Sequence, residues 1–321
     1  MLQNFARAML AGICAVTLNA AAQAQPYPSK PIRIVVPFGP GSATDNISRM
    51  LAEKASKSLG VAIVVDNKPG ANGLIAAREV VGGPKDGYTV MVSSNSAHAA
   101  NAYLYKNLGY DPVKDFTPIT GLTKNPHILV VRPELPVHNM KELIEYGKAN
   151  PGKLNMGNGN TGSLANASLV RAMGGFTATD IAYKSPPAAV TDLLGGRIDF
   201  LSVDPFIVAD HIKVGKLRPI AVTSKTRLRP FPDVPTVAET IPGYELNGWV
   251  AAFAPAGTPP EAIAKLNKAF VEFVNSPEFQ QYMDKQGMQG AASTPEELGE
   301  FQKGQVKLWA DVLQKAGVQP E

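Results

Sequence analysis

The sequence predicts an α/β protein of two lobes, and three observations support this fold class. Short β-branched segments alternate with amphipathic helical segments, an order that favours sheets covered by helices. The alternation occurs in two successive series of roughly 100 residues each. A mainly helical segment follows from Glu261. Together these features predict one α/β lobe for each series, with chain crossings between the lobes.

The composition is that of a globular protein. The chain has 321 residues, 45% hydrophobic and 18% charged, which is enough for about two domains of roughly 150 residues. The normal apolar content excludes disorder, and 29 Gly and 27 Pro spread along the chain exclude a coiled coil. A single Cys excludes a disulfide scaffold. The net charge of +4 comes without a basic cluster, so nucleic acid is not expected as a partner.

Residues 1–24 have the pattern of a secretory signal peptide. Arg7 is the charged residue of this segment, an apolar run follows it, and an Ala-Gln-Ala cleavage signature ends at Ala24. The run is far shorter than the roughly 20 residues that span a bilayer. The alternative is a short buried or anchoring helix. Cleavage after Ala24 would remove the single cysteine, Cys14, and we expect the mature chain in the periplasm, without thiol chemistry.

The first series predicts the order strand, helix, strand, helix, strand. Apolar β-type runs predict strands at 32–36, 61–65 and 88–92. Apolar residues at helical spacing predict one helix from Asn46 and a second at 73–81. Parallel strands joined by helices are the expected arrangement of this series.

The second series continues the alternation, and three helices end the chain. Strands are predicted at 128–131, 154–156, 180–183, 198–203 and 217–222. Helices are predicted at 140–149, 163–173, 187–194, 206–214, 261–275, 277–286 and 295–315.

Two extended stretches, 116–131 and 244–254, are the predicted crossings between the lobes. The predicted organisation is a signal peptide at 1–24, lobe I from 25–126 and 246–321, and lobe II from 127–245.

The loop after the first strand is the first candidate ligand site. Ligands of open α/β sheets bind at the carboxyl ends of the strands, and a helix N-terminus offers free N–H groups to an anion. Thr44 or Asp45 could cap this helix. The loop has no Lys for a Walker A motif and lacks the third Gly of a dinucleotide fingerprint. An ordinary capped turn is the alternative to an anion site.

A second polar, glycine-bearing loop lies between a strand and a helix of the other lobe. One such loop in each lobe could hold a dianion from both sides. The candidate ligand-binding residues of the two loops are Phe38, Gly41, Ser42, Ala43, Thr44 and Asp45 in the first, and Asn158, Gly159, Asn160, Thr161, Gly162 and Ser163 in the second.

Two further polar residues follow strands. Ser93 begins a serine-rich turn that could contact a ligand or satisfy turn backbone. Asp204 stands just before a proline, and its carboxylate would serve as a helix N-cap or as a ligand contact, with the cap favoured.

Motifs of catalysis are missing from the sequence. It has no Gly-x-Ser-x-Gly elbow and no His-Glu-x-x-His, and its four histidines lack metal-ligand spacing. This favours a binding protein over an enzyme, with no metal and no cofactor. Since triads are recognised in space, a secreted hydrolase or isomerase stays an alternative.

An ordered set of short motifs resembles the TctC-like extracytoplasmic solute receptors, also called Bug receptors, of tripartite tricarboxylate transporters. The resemblance extends from Tyr27 to about Val318. Its motifs, in order, are YPSKPIR from Tyr27, TD at Thr44, DNKPGA from Asp66, DGYT from Asp86, YDPVKDF from Tyr110, DLLGG from Asp192, GKLR from Gly215 and PDVPT from Pro232.

This resemblance implies a type II, Venus-flytrap periplasmic binding protein with a ligand cleft between its lobes. It implies a monomer that binds a small carboxylate, such as a dicarboxylate, an amino acid or an aromatic acid. The two loops and Asp204 would contact this ligand, and the implied partners are a large and a small membrane subunit. A periplasmic sensor domain is a further alternative.

The chain departs from the family pattern at several positions. Gly39, Ser42 and Ala43 replace one proline and two glycines of the first loop, and Asn166 replaces a frequent His. Ligand selectivity is therefore expected to differ.

Overall fold

The computed structural model describes residues 26–320, so the predicted signal peptide at 1–24 lies outside the described residues. Eleven strands form two sheets in this part of the chain. The strands are β1 (Ile32–Val36), β2 (Ile63–Asn67), β3 (Thr89–Ser94), β4 (Phe116–Asn125), β5 (Ile128–Val131), β6 (Asn155–Asn158), β7 (Thr179–Ala182), β8 (Phe200–Val203), β9 (Arg218–Val222), β10 (Gly248–Pro255) and β11 (Gln289–Gly290).

Helices cover the sheets and close the chain. They are α1 (Ala43–Leu59), α2 (Leu74–Val81), α3 (Asn101–Leu104), α4 (Met140–Ala149), α5 (Thr161–Gly174), α6 (Pro186–Leu194), α7 (Pro205–Lys213), α8 (Pro260–Val274), α9 (Pro277–Lys285) and α10 (Pro295–Lys315). None of these helices is long and apolar enough to cross a membrane.

The first sheet has six strands in the order β11-β4-β10-β3-β1-β2. Strand β1 pairs in parallel with β2 and β3, and β10 pairs antiparallel with β3 and β4. The sheet therefore combines an N-terminal parallel unit with strands from the C-terminal part of the chain. The second sheet has the order β7-β6-β8-β5-β9, and all its strands come from the middle of the chain.

The chain passes twice between the sheets. The first passage is short and joins β4 to β5, and the second joins β9 to β10. The crossing strands β4 and β10 pair with each other along most of their length, and two register shifts interrupt this pairing. The predicted two-lobed α/β fold class is confirmed, and the predicted crossings lie where β4, β5 and β10 form.

Several boundaries differ from the sequence-based expectation. Helix α1 begins three residues before Asn46, because Ser42 supplies the cap. Strand β2 ends at Asn67, two residues beyond the prediction, because it pairs in register with β1 up to Val36↔Asn67. A π-helical turn at Ser96–Ala100, which periodicity did not indicate, follows β3.

An apolar core extends from the first sheet under the C-terminal helix. Trp309 of α10 is fully buried, and α10 packs against β4, α5 and the π-helical turn. His98 lies in this core, stacked on Phe253 with a centroid distance of 3.7 Å and edge-on to Phe116 at 4.6 Å. Burial lowers the pKa of His98 to about 3. The ring is therefore neutral and acts as a packing group.

Candidate functional site

The N-terminus of α1 is presented by the loop after β1. The Ser42 hydroxyl accepts a hydrogen bond from the Asp45 N–H at 3.2 Å and caps the helix. The capping residue is thus Ser42, and the expectation of Thr44 or Asp45 was wrong. Gly41 has φ +81°, a left-handed conformation that favours glycine. The first amides of a helix have no intrahelical partner, so those of Ala43 and Thr44 can bind an anion.

The carboxylate of Asp45 holds this loop in shape. It accepts hydrogen bonds from the Gly41 N–H at 2.9 Å, from Asn67 Nδ2 at 2.9 Å and from Arg49 Nε at 3.1 Å. Burial alone would raise the pKa of Asp45, but the bonds from Arg49, Gly41 and Asn67 outweigh it and lower the pKa. Asp45 is therefore ionised, and these contacts define a scaffolding role for its side chain.

The N-terminus of α5 comes from the second sheet and has the same design. The Asn160 side chain accepts a hydrogen bond from the Ser163 N–H at 2.7 Å and caps the helix. The first amide of the helix, that of Thr161, donates to Ser96 Oγ at 3.3 Å. Ser96 belongs to the turn after β3, so this hydrogen bond joins the two halves of the molecule at the helix start.

A small polar cavity lies where the two sheets meet. Its volume is about 20 Å³, room for little more than one water molecule. Residues from both sheets line it: Thr44, Ser94, Asn95, Asn125, His127, Asn160, Asp204, Gly248, Trp249 and Val250.

Several unpartnered polar atoms lie at or beside this cavity. Asn95 Nδ2 and Asn125 Oδ1 belong to residues that line the cavity. Thr161 Oγ1 and Ser93 Oγ belong to residues that are adjacent in the sequence to lining residues. Within residues 26–320 these buried atoms have no hydrogen-bond partner. Because a buried polar group without a partner costs roughly 1–3 kcal/mol, the cluster is suited to a polar ligand.

Two residues of the cavity carry its electrostatics. Asp204 is 6% exposed, and its Oδ1 accepts a hydrogen bond from Asn125 Nδ2 at 3.1 Å. Burial lowers the pKa of His127, although the nearby charge of Asp204 opposes this shift. Its Nδ1 lies 3.2 Å from the Ser202 hydroxyl. Asp204 is the acidic side chain of the lining, beside a neutral imidazole.

The structure brings three of the predicted side chains to the cavity, namely Thr44, Asn160 and Asp204. Asp204 occupies the N-cap position of α7, but its carboxylate makes no capping hydrogen bond. The favoured interpretation of this carboxylate as a cap is therefore wrong. The reason is the approach of Asn125 from the other sheet, which gives the carboxylate a different donor.

Other predicted residues have polar groups that are bonded within the protein. Ser163 Oγ donates to the Ser202 carbonyl at 2.5 Å, and Asn158 Nδ2 donates to Asp180 Oδ1 at 2.6 Å. The carbonyl of Phe38 accepts a hydrogen bond from Asn67. These groups shape the loops from within.

Close packing explains the glycines of the second loop. A Cβ on Gly159 would lie 2.4 Å from the backbone nitrogen of Pro186, and a Cβ on Gly162 would lie 3.0 Å from the His127 ring. Neither position has room for a side chain without displacement of its neighbours. These two glycines therefore let the loop approach α6 and the cavity wall.

Ser94 and Asn95 of the lining belong to the serine-rich turn that Ser93 begins, which the sequence indicated as a possible ligand contact. Sequence reasoning missed the lining residues of the two crossings, namely Asn125, His127, Gly248, Trp249 and Val250. A signal for some of them was present. Asn125 and His127 lie on either side of Pro126 in a predicted crossing, where polar residues interrupt two apolar strands. Within the described residues, no group of three His, Cys, Asp or Glu side chains could hold a metal ion.

Comparisons with known proteins agree with this architecture. The family described as "Tripartite tricarboxylate transporter family receptor" matches residues 47–318. Protein BugT of Bordetella pertussis is 34% identical to the chain, over 95% of this chain and 96% of the relative.

Three solved structures are similar over nearly the whole described chain. A structure from R. palustris with adipate has a TM-score of 0.89 at 32% identity, covering 92% of this chain and 100% of its own. The periplasmic binding protein BugD has a TM-score of 0.88 at 35% identity, with the same coverage. MatC from Rhodopseudomonas palustris with bound malate has a TM-score of 0.85 at 28% identity, covering 89% and 100%. The chain therefore belongs to the tripartite tricarboxylate transporter family of receptors, and it has their two-lobed periplasmic binding protein fold.

Proposed function

We propose that this protein is a periplasmic receptor that captures a small carboxylate between two lobes and delivers it to the large and small membrane subunits of a tripartite transporter. One observation carries the proposal: two helix N-termini, one from each half of the molecule, meet at a polar cavity whose lining includes the unpartnered atoms Asn95 Nδ2 and Asn125 Oδ1. Free amides at helix N-termini bind carboxylates without a cationic side chain. Relatives with adipate and with malate support the ligand class.

The proposed lobes follow the two sheets. Lobe I comprises 25–126 and 246–321, and lobe II comprises 127–245, so that β4–β5 and the segment before β10 are the hinge. A cavity of about 20 Å³ is too small to hold a dicarboxylate, so a ligand can be accommodated only when the lobes move apart from this arrangement. Ligand exchange therefore requires the lobes to separate by hinge motion, and binding shifts the equilibrium toward the closed state.

The proposed ligand contacts fall into two groups. The amides of Ala43, Thr44 and Gly162 would bind the carboxylate groups, since the caps leave these donors free. The side chains of Thr44, Asn160 and Asp204 would orient the rest of the ligand.

A binding screen tests the proposal. The purified protein is unfolded, freed of bound solute, refolded, and screened by thermal shift and calorimetry against adipate, malate, succinate, glutarate and aromatic acids, with amino acids included. A true ligand at about 100 times its Kd should stabilise the protein by about 2.7 kcal/mol. The proposal is wrong if no small carboxylate of any of these classes raises the melting temperature.

Delivery and location need separate measurements. We expect the mature protein in the periplasmic fraction, with Gln25 as its N-terminal residue. Vesicles that contain the two membrane subunits should take up the ligand when the loaded receptor is added outside. Uptake that is independent of the receptor would contradict the delivery step and leave ligand capture intact.

A further inference from the structure

The charge of the cavity differs from what a simple anion site needs. The lining formed by residues 26–320 includes no lysine or arginine, and it does include the carboxylate of Asp204. His127 adds no positive charge near pH 7, because burial lowers its pKa. A ligand held by its carboxylates alone would thus place negative charge beside Asp204, without a cation to offset the repulsion.

Asp204 is an incompletely paired carboxylate. It is 6% exposed, and it accepts one neutral hydrogen bond, from Asn125 Nδ2 at 3.1 Å. Buried charges in proteins are paired with an opposite charge or coordinate a metal. Among the described residues no metal-binding group exists at this position. Within the described residues Asp204 therefore has no cationic partner.

The neighbouring amide strengthens this reasoning. A carboxylate can only accept, so Asn125 must direct its NH₂ group to Asp204. The orientation of the amide is thereby fixed, and its Oδ1 is left as a buried acceptor without a partner. Asn125 Oδ1 and the Asp204 carboxylate form a pair of acceptors in one cavity. A protonated amine, with three N–H donors and a positive charge, is complementary to such a pair.

The same cavity region also contains donors. Asn95 Nδ2 is buried and unpartnered. The amides of Ala43, Thr44 and Gly162 lie at the capped starts of α1 and α5, where they have no intrahelical partner. The site thus offers donors to a carboxylate and acceptors to an amine. A hydroxyl could donate one hydrogen bond to Asp204, but it would leave the charge uncompensated and Asn125 Oδ1 unpartnered.

We propose that the ligand of this receptor carries a protonated amine, and that Asp204 is the residue that selects it. This inference rests on the proposed capture of a carboxylate. The ligand class is an amino acid or a related amino carboxylate. Asp204 and Asn125 bind the ammonium group, and the two helix N-termini bind the carboxylate groups.

Matched ligands that differ in one group test this inference. The series succinate, malate and aspartate replaces a hydrogen by a hydroxyl and then by an ammonium, and glutarate, 2-hydroxyglutarate and glutamate extend it by one carbon. We expect the amino member of at least one series to bind at least tenfold more tightly than its unsubstituted parent, by calorimetry on the refolded protein.

Asp204→Asn removes the charge and keeps an oxygen that can accept the bond from Asn125. It should weaken binding of the amino member at least tenfold and leave binding of the unsubstituted acid equal or stronger. Asp210→Asn is the matched control, because Asp210 is an exposed aspartate on the same helix, α7. The Asp210→Asn variant should prefer the amino member over the unsubstituted acid by the same factor as the unchanged protein.

The outcomes separate the two proposals. If the unsubstituted or hydroxy acids bind as tightly as the amino acids, or if Asp204→Asn weakens all of them equally, the amine inference is wrong and carboxylate capture stands. If no carboxylate of any class binds, both proposals fail. Melting curves of the variants without ligand show whether Asp204→Asn is folded.

Discussion

The buried histidine of the core makes the stability of this protein depend on pH. His98 is fully buried between Phe116 and Phe253, and burial lowers its pKa from 6.5 to about 3. In the unfolded chain the same imidazole takes up a proton near pH 6.5. Between these two values the unfolded state binds more protons than the folded state, so stability falls as the pH falls.

The size of this effect follows from the two pKa values. A pH of 5 is about 1.5 units below the pKa of the imidazole in the unfolded chain, so that imidazole is protonated, while the imidazole of the folded protein is still neutral. At about 1.4 kcal/mol per unit, the loss is about 2 kcal/mol relative to neutral pH. His98→Leu removes the titrating group and should remove this part of the loss. His127, whose pKa burial also lowers, remains and keeps its own share.

Urea unfolding at pH 7.5 and pH 5 measures the difference. The parent should lose about 2 kcal/mol more than His98→Leu between the two pH values. Phe116→Leu is the control, because it disturbs the same aromatic packing and keeps the imidazole. It should lower stability at both pH values and retain the pH dependence of the parent. If His98→Leu and the parent lose the same free energy on acidification, the argument from burial is refuted.

Three further substitutions separate ligand contacts from structural contacts. Thr44→Val removes the hydroxyl of a residue that lines the cavity, and it should weaken the ligand found in the screen about fivefold with little change in melting temperature. Ser163→Ala should instead lower the free energy of unfolding by about 1–2 kcal/mol, because the buried Ser202 carbonyl loses a donor. If Thr44→Val and Ser163→Ala changed ligand affinity and stability to the same extent, the distinction between a ligand contact and a structural contact would be wrong. Gly39→Val places a branched side chain where even a Cβ would lie 3.1 Å from Ser185 Oγ, in the segment before α6. It should raise the Kd at least tenfold by hindering closure, while an unchanged Kd would show that these loops do not meet in the bound state.

Local features of the chain predicted much of the fold. Alternating β-branched and helical segments gave the correct order of the elements around β1, α1 and β2, because hydrophobic periodicity reports directly on local structure. The helix starts at Ala43 and Thr161 were also near the predicted loops, since Gly, Ser and Asn are the residues that such turns require. Thr44, Asn160 and Asp204 were predicted as site residues for this reason, and they line the cavity.

Which polar side chains line the cavity and which are hydrogen-bonded within the protein could not be predicted in the same way. Ser163 and Asn158 have the same composition signal as Asn160, yet their side chains bond to Ser202 and Asp180, which are distant in the sequence. Asn125 and His127 gave a weak signal because they lie at the end of strand β4 and just before strand β5, where a polar residue is commonly a surface residue.

The sequence by itself determined the order of the elements, the polar loops at the helix starts and the resemblance to a receptor family. Those properties are local, or they are carried by short motifs along the chain. Only the tertiary structure decided which polar groups face the cavity and which are bonded within the protein. Asn125 ends a strand of one sheet and Asp204 directly follows a strand of the other, and their hydrogen bond exists because the two sheets come together there. The charge of the cavity and the identity of its unpartnered atoms are consequences of that long-range contact.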